Sequence, residues 1–377
     1  MKYYLIAGEA SGDLHASNLM KAIKQKDEKA QFRYWGGDLM QRQGGTLVKH
    51  IRDLAFMGFV EVLFNLVTIL KNLTFCKKDI LAWKPDVVIL VDYPGFNLRI
   101  ADFLHKKGIK VVYYISPQVW AWKQGRVKKI KKVVDKMLVI LPFEKDFYSR
   151  FGMDVDFVGH PLLDALNQEK HQTREDFIQK NGLEDKPIIA LLPGSRKQEV
   201  DKMLSVMLQT VRAFRNYQVI VCGVDTLGRP FYRDIFEKNG FSEESFVKVL
   251  FGQTHEVLYH ARAAAVTSGT ATLETALIGT PEVVCYKGGK ISYEIAKRVI
   301  KVKYISLVNL IMDKPVVKEL IQDEFEEEHL KAELDRLVSD EPYRQRIIQD
   351  YEMLRVKLGS RGASEKAADR IVKFAAG

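Results

Sequence analysis

Cysteine is scarce in this chain: Cys76, Cys222 and Cys285 make an odd number, with no CxxC pair. That argues against a disulfide framework and a zinc-binding cysteine cluster, and it suits a reducing cytoplasm. No GxGxxG loop is present; the first glycine-bearing turn reads Gly8-Glu9-Ala10-Ser11-Gly12-Asp13. A dinucleotide-dependent oxidoreductase loses support accordingly. The opening residues go straight into an apolar strand, so no signal peptide is expected. No repeat of fixed short period runs through the sequence. The most apolar stretch, residues 54–70, carries Glu61 and Asn65. It falls short of the ~20 apolar residues a bilayer crossing needs. Acidic residues are the minority charge, 48 against 58 Lys and Arg, for a formal net charge of +10. The surplus favours anionic partners such as nucleotides, phosphorylated ligands or an acidic membrane face. No motif for reading nucleic acid accompanies it.

What is present is a strand–helix rhythm that runs twice. The 377 residues are 47% hydrophobic, enough for a sizeable core in two or three domains. Apolar strands are predicted at residues 3–7, 87–91, 110–115, 133–141 and 155–158. A second series falls at 187–192, 217–222, 246–250, 263–266 and 283–286. Helical patterns alternate with them, and a charged, weakly hydrophobic segment at 167–186 separates the series. The expected fold is α/β, with two doubly wound, Rossmann-like domains facing a cleft, divided at about residue 168.

Residues 262–281, RAAAVTSGTATLETALIGTP, are the organising stretch. They read as a strand, a small polar turn and a helix, with Gly279 and Pro281 as stop signals. Such a turn aims free backbone N–H groups and a positive helix end at an anion, most often phosphate. Ser268, Thr270 and Thr272 add hydroxyls, and Gly269 allows close backbone approach. Leu273 stands where a capping box from Thr270 needs Glu, so Glu274 is left as an acceptor for ribose hydroxyls. An ordinary αβ unit with a Ser/Thr cap fits the same residues. A second turn of this kind, Pro193-Gly194-Ser195-Arg196, offers a glycine, a hydroxyl and a guanidinium as a pyrophosphate clamp.

The first half supplies the acids. Asp13 is predicted to N-cap the helix from about residue 14, with Glu9 and Ser11 exposed in the loop before it. Asp92 closes the apolar run 87–91, at the strand end where open α/β sheets bind their ligands. It reads either as a turn aspartate or as a general base for an acceptor hydroxyl. Trp120 and Trp122 follow the strand 110–115, either covering a sugar or acyl chain or packing on the sheet. The basic run Lys123, Arg126, Lys128, Lys129, Lys131 and Lys132 reads as a solvated helix face or an anionic-lipid contact. Residues 54–70 read as a buried helix or as an apolar surface that meets lipid. Asp154-Val155-Asp156 precedes its strand, the wrong end for a ligand, and reads as a turn.

Several stretches together resemble the lipid-A-disaccharide synthase family of bacterial glycosyltransferases. They are GEASGD (8–13), MGFVEVL (57–63), KPDVVILVDYPGFN (84–97), YYISPQVWAW (113–122), LPFEKDFY (141–148), VGHPLLD (158–164), LLPGSR (191–196), SGTATLE (268–274) and YISLVNL (304–310). The resemblance implies a GT-B type enzyme, with residues 1–168 on the acceptor and lipid side and 169–340 holding the UDP-sugar. The helices of 341–377 would cross back to the first domain or reach a partner chain in a homodimer. UDP-2,3-diacylglucosamine would donate its sugar to the 6-hydroxyl of 2,3-diacylglucosamine 1-phosphate (lipid X), giving the β-1,6 disaccharide 1-phosphate and UDP. The transfer would be inverting and need neither metal nor cofactor. Asp92, or else Glu9, would be the base. Gly194, Ser195, Arg196, Ser268, Gly269, Thr270, Glu274, Lys287 and Asn309 would bind the donor. Phe56, Met57, Phe59, Val60, Leu63, Phe64, Trp120 and Trp122 would contact the acceptor, its acyl chains or the inner membrane, on whose cytoplasmic face the protein would sit peripherally. Other readings are an epimerase or soluble-acceptor transferase using UDP-N-acetylglucosamine, and a non-catalytic nucleotide-sugar binding protein.

Overall fold

The computed structural model describes residues 1–54, 66–122, 124–167, 171–241, 246–289 and 302–377. The predicted contacts Phe56, Met57, Phe59, Val60, Leu63 and Phe64 lie outside these residues. The described chain divides into two compact units: Met1–Asp164 with Leu358–Gly377, and Ala165–Lys357.

In the first unit, runs such as VVILV are apolar at every position because helices cover both faces of a parallel sheet. The strands are β1 (Lys2–Ala7), β2 (Gln31–Gly36), β3 (Thr46–His50), β4 (Val87–Val91), β5 (Val111–Tyr114), β6 (Lys136–Val139) and β7 (Asp156–Phe157). They lie in the order β3-β2-β1-β4-β5-β6-β7, all pairings parallel. Tyr3–Ala7 and Val87–Val91 are fully buried at its centre. The sequence pattern misses β2 and β3, whose polar residues have tertiary partners. Arg33 on β2 pairs with Asp79, and Trp35 Nε1 donates to the Tyr4 hydroxyl at 2.9 Å. Asp13 does not cap its own helix, which starts at Ala10. It is buried one turn inside and accepts from the Gly37, Leu39 and Met40 N–H groups, so it caps the next helix, Asp38–Arg42. The final helix, Ala363–Ala376, returns to pack on Ala10–Lys26. Asp164 anchors its start by accepting from Gly362 N at 2.7 Å and Ala363 N at 3.0 Å.

The second unit repeats the plan. Its strands are β8 (Ile188–Leu192), β9 (Gln218–Gly223), β10 (Val247–Phe251), β11 (Ala261–Thr267), β12 (Glu282–Tyr286) and β13 (Lys318–Ile321). They form a parallel sheet in the order β10-β9-β8-β11-β12-β13. Ile188, Ala190, Ile220, Val257, Ala264 and Val266 form part of one core cluster beneath it. The edge strand β13, KELI, alternates polar and apolar and escapes a search for continuous apolar runs.

Strand order sets the places where ligands can bind. In the first sheet the winding reverses between β1 and β4, and in the second between β8 and β11. At such a switch point the loops leave a crevice outside the strands' carboxyl ends.

Candidate active site

At the first switch point the turn after β4 is held in a sparsely populated conformation. Asp92 and Tyr93, neither of them glycine, have φ of 43° and 47°. Several bonds enforce this: Asp92 N–H donates to the Tyr114 carbonyl, while its own carbonyl accepts from the Tyr113 hydroxyl and from Asn97 Nδ2. Asn97 is fully buried and also donates to the Val91 carbonyl. Strain held in this way clusters at functional sites. The Tyr93 ring lies against Gly8, where a Cβ would fall 2.4 Å from it, so the turn after β1 needs glycine there. That packing sets the exposed Glu9 beside Asp92. Burial, then the Glu9 charge, push the Asp92 carboxyl up to about 6, against a lowering bond from the Tyr93 N–H. A carboxylate titrating there is suited to accepting a proton near neutral pH.

The two predicted tryptophans part company. Val119–Trp122 forms a short helix in which Trp120 is buried and meets Phe143 edge-on, 5.0 Å between centroids. It supports the loop and offers no free apolar surface, because the ring is already covered. Trp122 is 47% exposed, with the Arg126 guanidinium 5.8 Å from its ring centre.

At the second switch point the turns after β8 and β11 line one cleft of about 440 Å³. Gly194, Ser195, Ser268, Gly269, Thr270 and Glu274 all border it. The helix Thr270–Ile278 has no side-chain cap; Thr272 N–H bonds the Gly269 carbonyl, while Thr270 and Ala271 at the helix start line the cleft. Gly269 is extended, and a Cβ there would meet nothing within 4 Å; the glycine keeps the floor open. Gly194 has φ of +108°, and its missing Cβ leaves room for Glu199, which accepts from Ser195 N at 3.1 Å. Ser268 faces the cleft less freely than expected, since its Oγ donates to the Ile305 carbonyl at 3.2 Å. Glu274 lies 3.7 Å from His255 across the same space.

Three donor-side residues are placed differently. Arg196 is exposed at the start of the helix Lys197–Val211 and is not part of the cleft lining. Lys287 donates to the Phe325 carbonyl at 3.4 Å. Asn309 is buried and occupied: Nδ2 donates to the Val317 carbonyl and Glu319 Oε1, while Oδ1 accepts from Val316 N and Val317 N. Its amide fixes the turn before β13, which leaves it no capacity for a ligand. Conversely, Glu199, Thr254, His255 and Thr267 line the cleft unannounced. Thr267 Oγ1 is buried there with no partner among the described residues. Its place as the last residue of β11 is the signal that could have found it. A larger groove, about 790 Å³, runs along β10 and touches none of the predicted residues.

Among the described residues no helix is long and apolar enough to cross a membrane, and no cluster of His, Cys, Asp and Glu is arranged to hold a metal ion. The helix Leu66–Trp83 nonetheless exposes Val67, Leu70, Phe75 and Leu81, and Lys71 and Lys78 border the groove between them.

Known proteins show the family to which the chain belongs. A family model described as lipid-A-disaccharide synthetase matches residues 3–373. The lipid-A-disaccharide synthase of Syntrophus aciditrophicus is 42% identical over 97% of this chain and 95% of its own length. That of Trichlorobacter lovleyi is 38% identical over 98% and 96%. In fold, the chain is similar to the UDP-GlcNAc 2-epimerase of Neisseria meningitidis bound to UDP-GlcNAc, with a TM-score of 0.64 at 11% identity over 99% of both chains. That last likeness concerns architecture alone. Agreement in sequence over nearly the full length carries further: the chain is a glycosyltransferase of the lipid-A-disaccharide synthase family.

Proposed function

We propose that Asp92 is the general base in the formation of the lipid A disaccharide by this chain. The carboxylate takes the proton of the lipid X 6-hydroxyl as that oxygen bonds to the anomeric carbon of UDP-2,3-diacylglucosamine. The carbon–oxygen bond to UDP breaks, and the diphosphate departs with the electron pair, so the sugar inverts. The observation that carries this reading is the Asp92 turn, strained, hydrogen-bonded on both sides and poised near pH 6 at a switch point. In the second unit the open amino end of Thr270–Ile278, the turn at Gly194–Ser195 and the exposed Arg196 guanidinium beside it suit a leaving diphosphate. Glu274 accepts from the ribose hydroxyls. Lys287 and Asn309 act by shaping the turns around this cleft, through their bonds to Phe325 and to residues 316–319.

The lipid substrates give the exposed apolar face of Leu66–Trp83 a use. Val67, Leu70 and Phe75 with flanking lysines suit acyl chains above an anionic leaflet, and the net charge of +10 suits a peripheral stay on the inner membrane's cytoplasmic face. Pairing through the C-terminal segments belongs to this reading as a further expectation.

The test is UDP release from UDP-2,3-diacylglucosamine by purified protein in detergent, with and without lipid X and with excess EDTA. Release that needs lipid X and survives EDTA supports the scheme. Turnover of plain UDP-N-acetylglucosamine without lipid X would replace it with an epimerase-like reaction.

A further inference from the structure

The turn that opens the helix Thr270–Ile278 is pinned at Ser268 by two bonds. Ser268 N donates to the Cys285 carbonyl on β12 at 2.9 Å, and its Oγ donates to the Ile305 carbonyl at 3.2 Å. The first partner is held by the sheet. The second is not: Ile305 lies in no strand and precedes the short helix Leu307–Met312. Its anchor is the Glu319 carboxylate on β13. Oε2 accepts from Ile305 N at 3.0 Å, while Oε1 accepts from Ser306 N at 3.0 Å and from Asn309 Nδ2 at 2.9 Å. Asn309 completes the tie, since its Oδ1 accepts from Val316 N and Val317 N, just before β13. Ser306 Oγ in turn accepts from Asn309 N at 3.1 Å, with both residues buried.

Three donors therefore converge on two oxygens of one side chain. A carboxylate is acceptor-only and satisfies them all, whereas an amide offers one oxygen and brings two donors of its own. Bonds to an ionised acceptor are also about twice as strong as neutral ones. Glu319 stands opposite Val284 in the β12–β13 pairing, one residue before Cys285. Both bonds that pin Ser268 thus lead back to the same pair of strands. From this geometry we infer that Glu319 is a positioning residue for the diphosphate of the UDP-sugar. Through the Ile305 carbonyl it fixes Ser268, and with it Gly269 and Thr270, where they border the cleft. This deepens the reading of that cleft as the nucleotide site and rests on it. Glu319 itself lies outside the cleft lining and acts only through residues 305–309 and Ser268.

Glu319→Gln keeps the size of the side chain but sets an amide donor against backbone donors. The Kd for UDP, read by calorimetry, is expected to rise about tenfold, while the apparent KM for lipid X stays within about twofold. Ser268→Ala, which removes the hydroxyl that reaches Ile305, should raise the same Kd by about threefold. The double variant decides the route. If Glu319 acts through Ser268, its loss matches that of Glu319→Gln alone; independent effects would multiply to about thirtyfold. Thermal melts exclude global unfolding as the source. A second measurement needs no variant: because coupling is reciprocal, saturating UDP should slow amide hydrogen exchange at Ile305 and Ser306 in the wild-type protein about fivefold or more. Unchanged exchange there would overturn the inference even if Glu319→Gln failed to fold. So would wild-type UDP affinity in a folded Glu319→Gln protein, or a double variant whose loss is the product of the two. A wild-type protein that binds no UDP would instead remove the nucleotide reading and this inference with it, which keeps the two failures apart.

Discussion

The two units share a winding and differ in the chemistry at its reversal. In the first, adjacent strands β1 and β4 deliver two acids, Glu9 and Asp92, on neighbouring turns at one switch point. In the second, β8 and β11 deliver glycines, hydroxyls and an uncapped helix end, with no Lys or Arg in the cleft lining among the described residues. Burial, with a like charge beside it, raises a carboxyl's pKa and suits it to act as a base. Unpaired N–H groups brought together make a seat for phosphate. On the proposed reading, one topology serves acceptor activation in one copy and leaving-group binding in the other, and the loops decide which.

Removing the base should break the comparison most completely. Asp92→Asn keeps the shape of the turn and is expected to lower kcat by about 10²–10⁴-fold. UDP affinity, measured by calorimetry, should be unchanged, because the cleft proposed for the nucleotide is built from residues of the other unit. An Asp92→Asn protein turning over at the wild-type rate would dismiss Asp92 as base. The matching change in the second unit is Gly194→Ala. It places a Cβ 2.3 Å from Glu199 Oε2 at a φ of +108°, so the turn must move. UDP affinity is expected to fall about tenfold, an effect of order 1.4 kcal/mol. Unaltered UDP binding would show that this turn does not touch the diphosphate.

Two carboxyls, one in each unit and at opposite ends of their strands, sharpen the contrast further. Asp92 follows β4 at the carboxyl end, while Glu282 opens β12 at the amino end, fully buried with both oxygens unpartnered among the described residues. Burial pushes the Glu282 pKa well above its ordinary 4.5. The folded protein therefore keeps a proton that the unfolded chain releases above that value. The associated stability is fully present below about pH 4.5 and is lost as pH rises toward the folded value. Glu282→Met, unbranched and similar in shape, removes this loss and is expected to add on the order of 1–3 kcal/mol at pH 7.5. The gain should shrink in melts at pH 4.5, and UDP release should be unaffected. A variant less stable than wild type at both pH values would point instead to a buried water bridging Glu282 and the nearby Tyr351 hydroxyl.

Legibility in the sequence followed how local the cause was. Apolar central strands, the strained aspartate turn and the SGTATLE helix start are written in consecutive residues, and the structure has them. β2 was missed because Arg33 and Trp35 owe their tolerance in a sheet to Asp79 and Tyr4, distant partners that no window contains. Asp13 was misassigned for the same reason: an N-cap residue and a residue capping a neighbouring helix look alike in one dimension. Trp120 and Asn309 show the complementary limit. Residue type suggested ligand contact for both, but Phe143 covers one ring and residues 316–319 saturate the other's amide. Glu199 and His255 reach the cleft from elements far apart in the chain, and only packing unites them.

The smallest expected effect separates the two acids of the first unit. Glu9 is exposed and raises Asp92 through its charge, second only to burial. Glu9→Gln removes that charge, so the Asp92 carboxyl should ionise at lower pH. Catalysis needs the ionised form, and the acid limb of kcat/KM should therefore move down by about half a pH unit, with its plateau preserved. Burial remains in the variant, so the limb should stay above the range of a free carboxylate. A collapsed plateau with an unmoved limb would reverse the assignment: Glu9 would then be the base, and Asp92 the residue that tunes it.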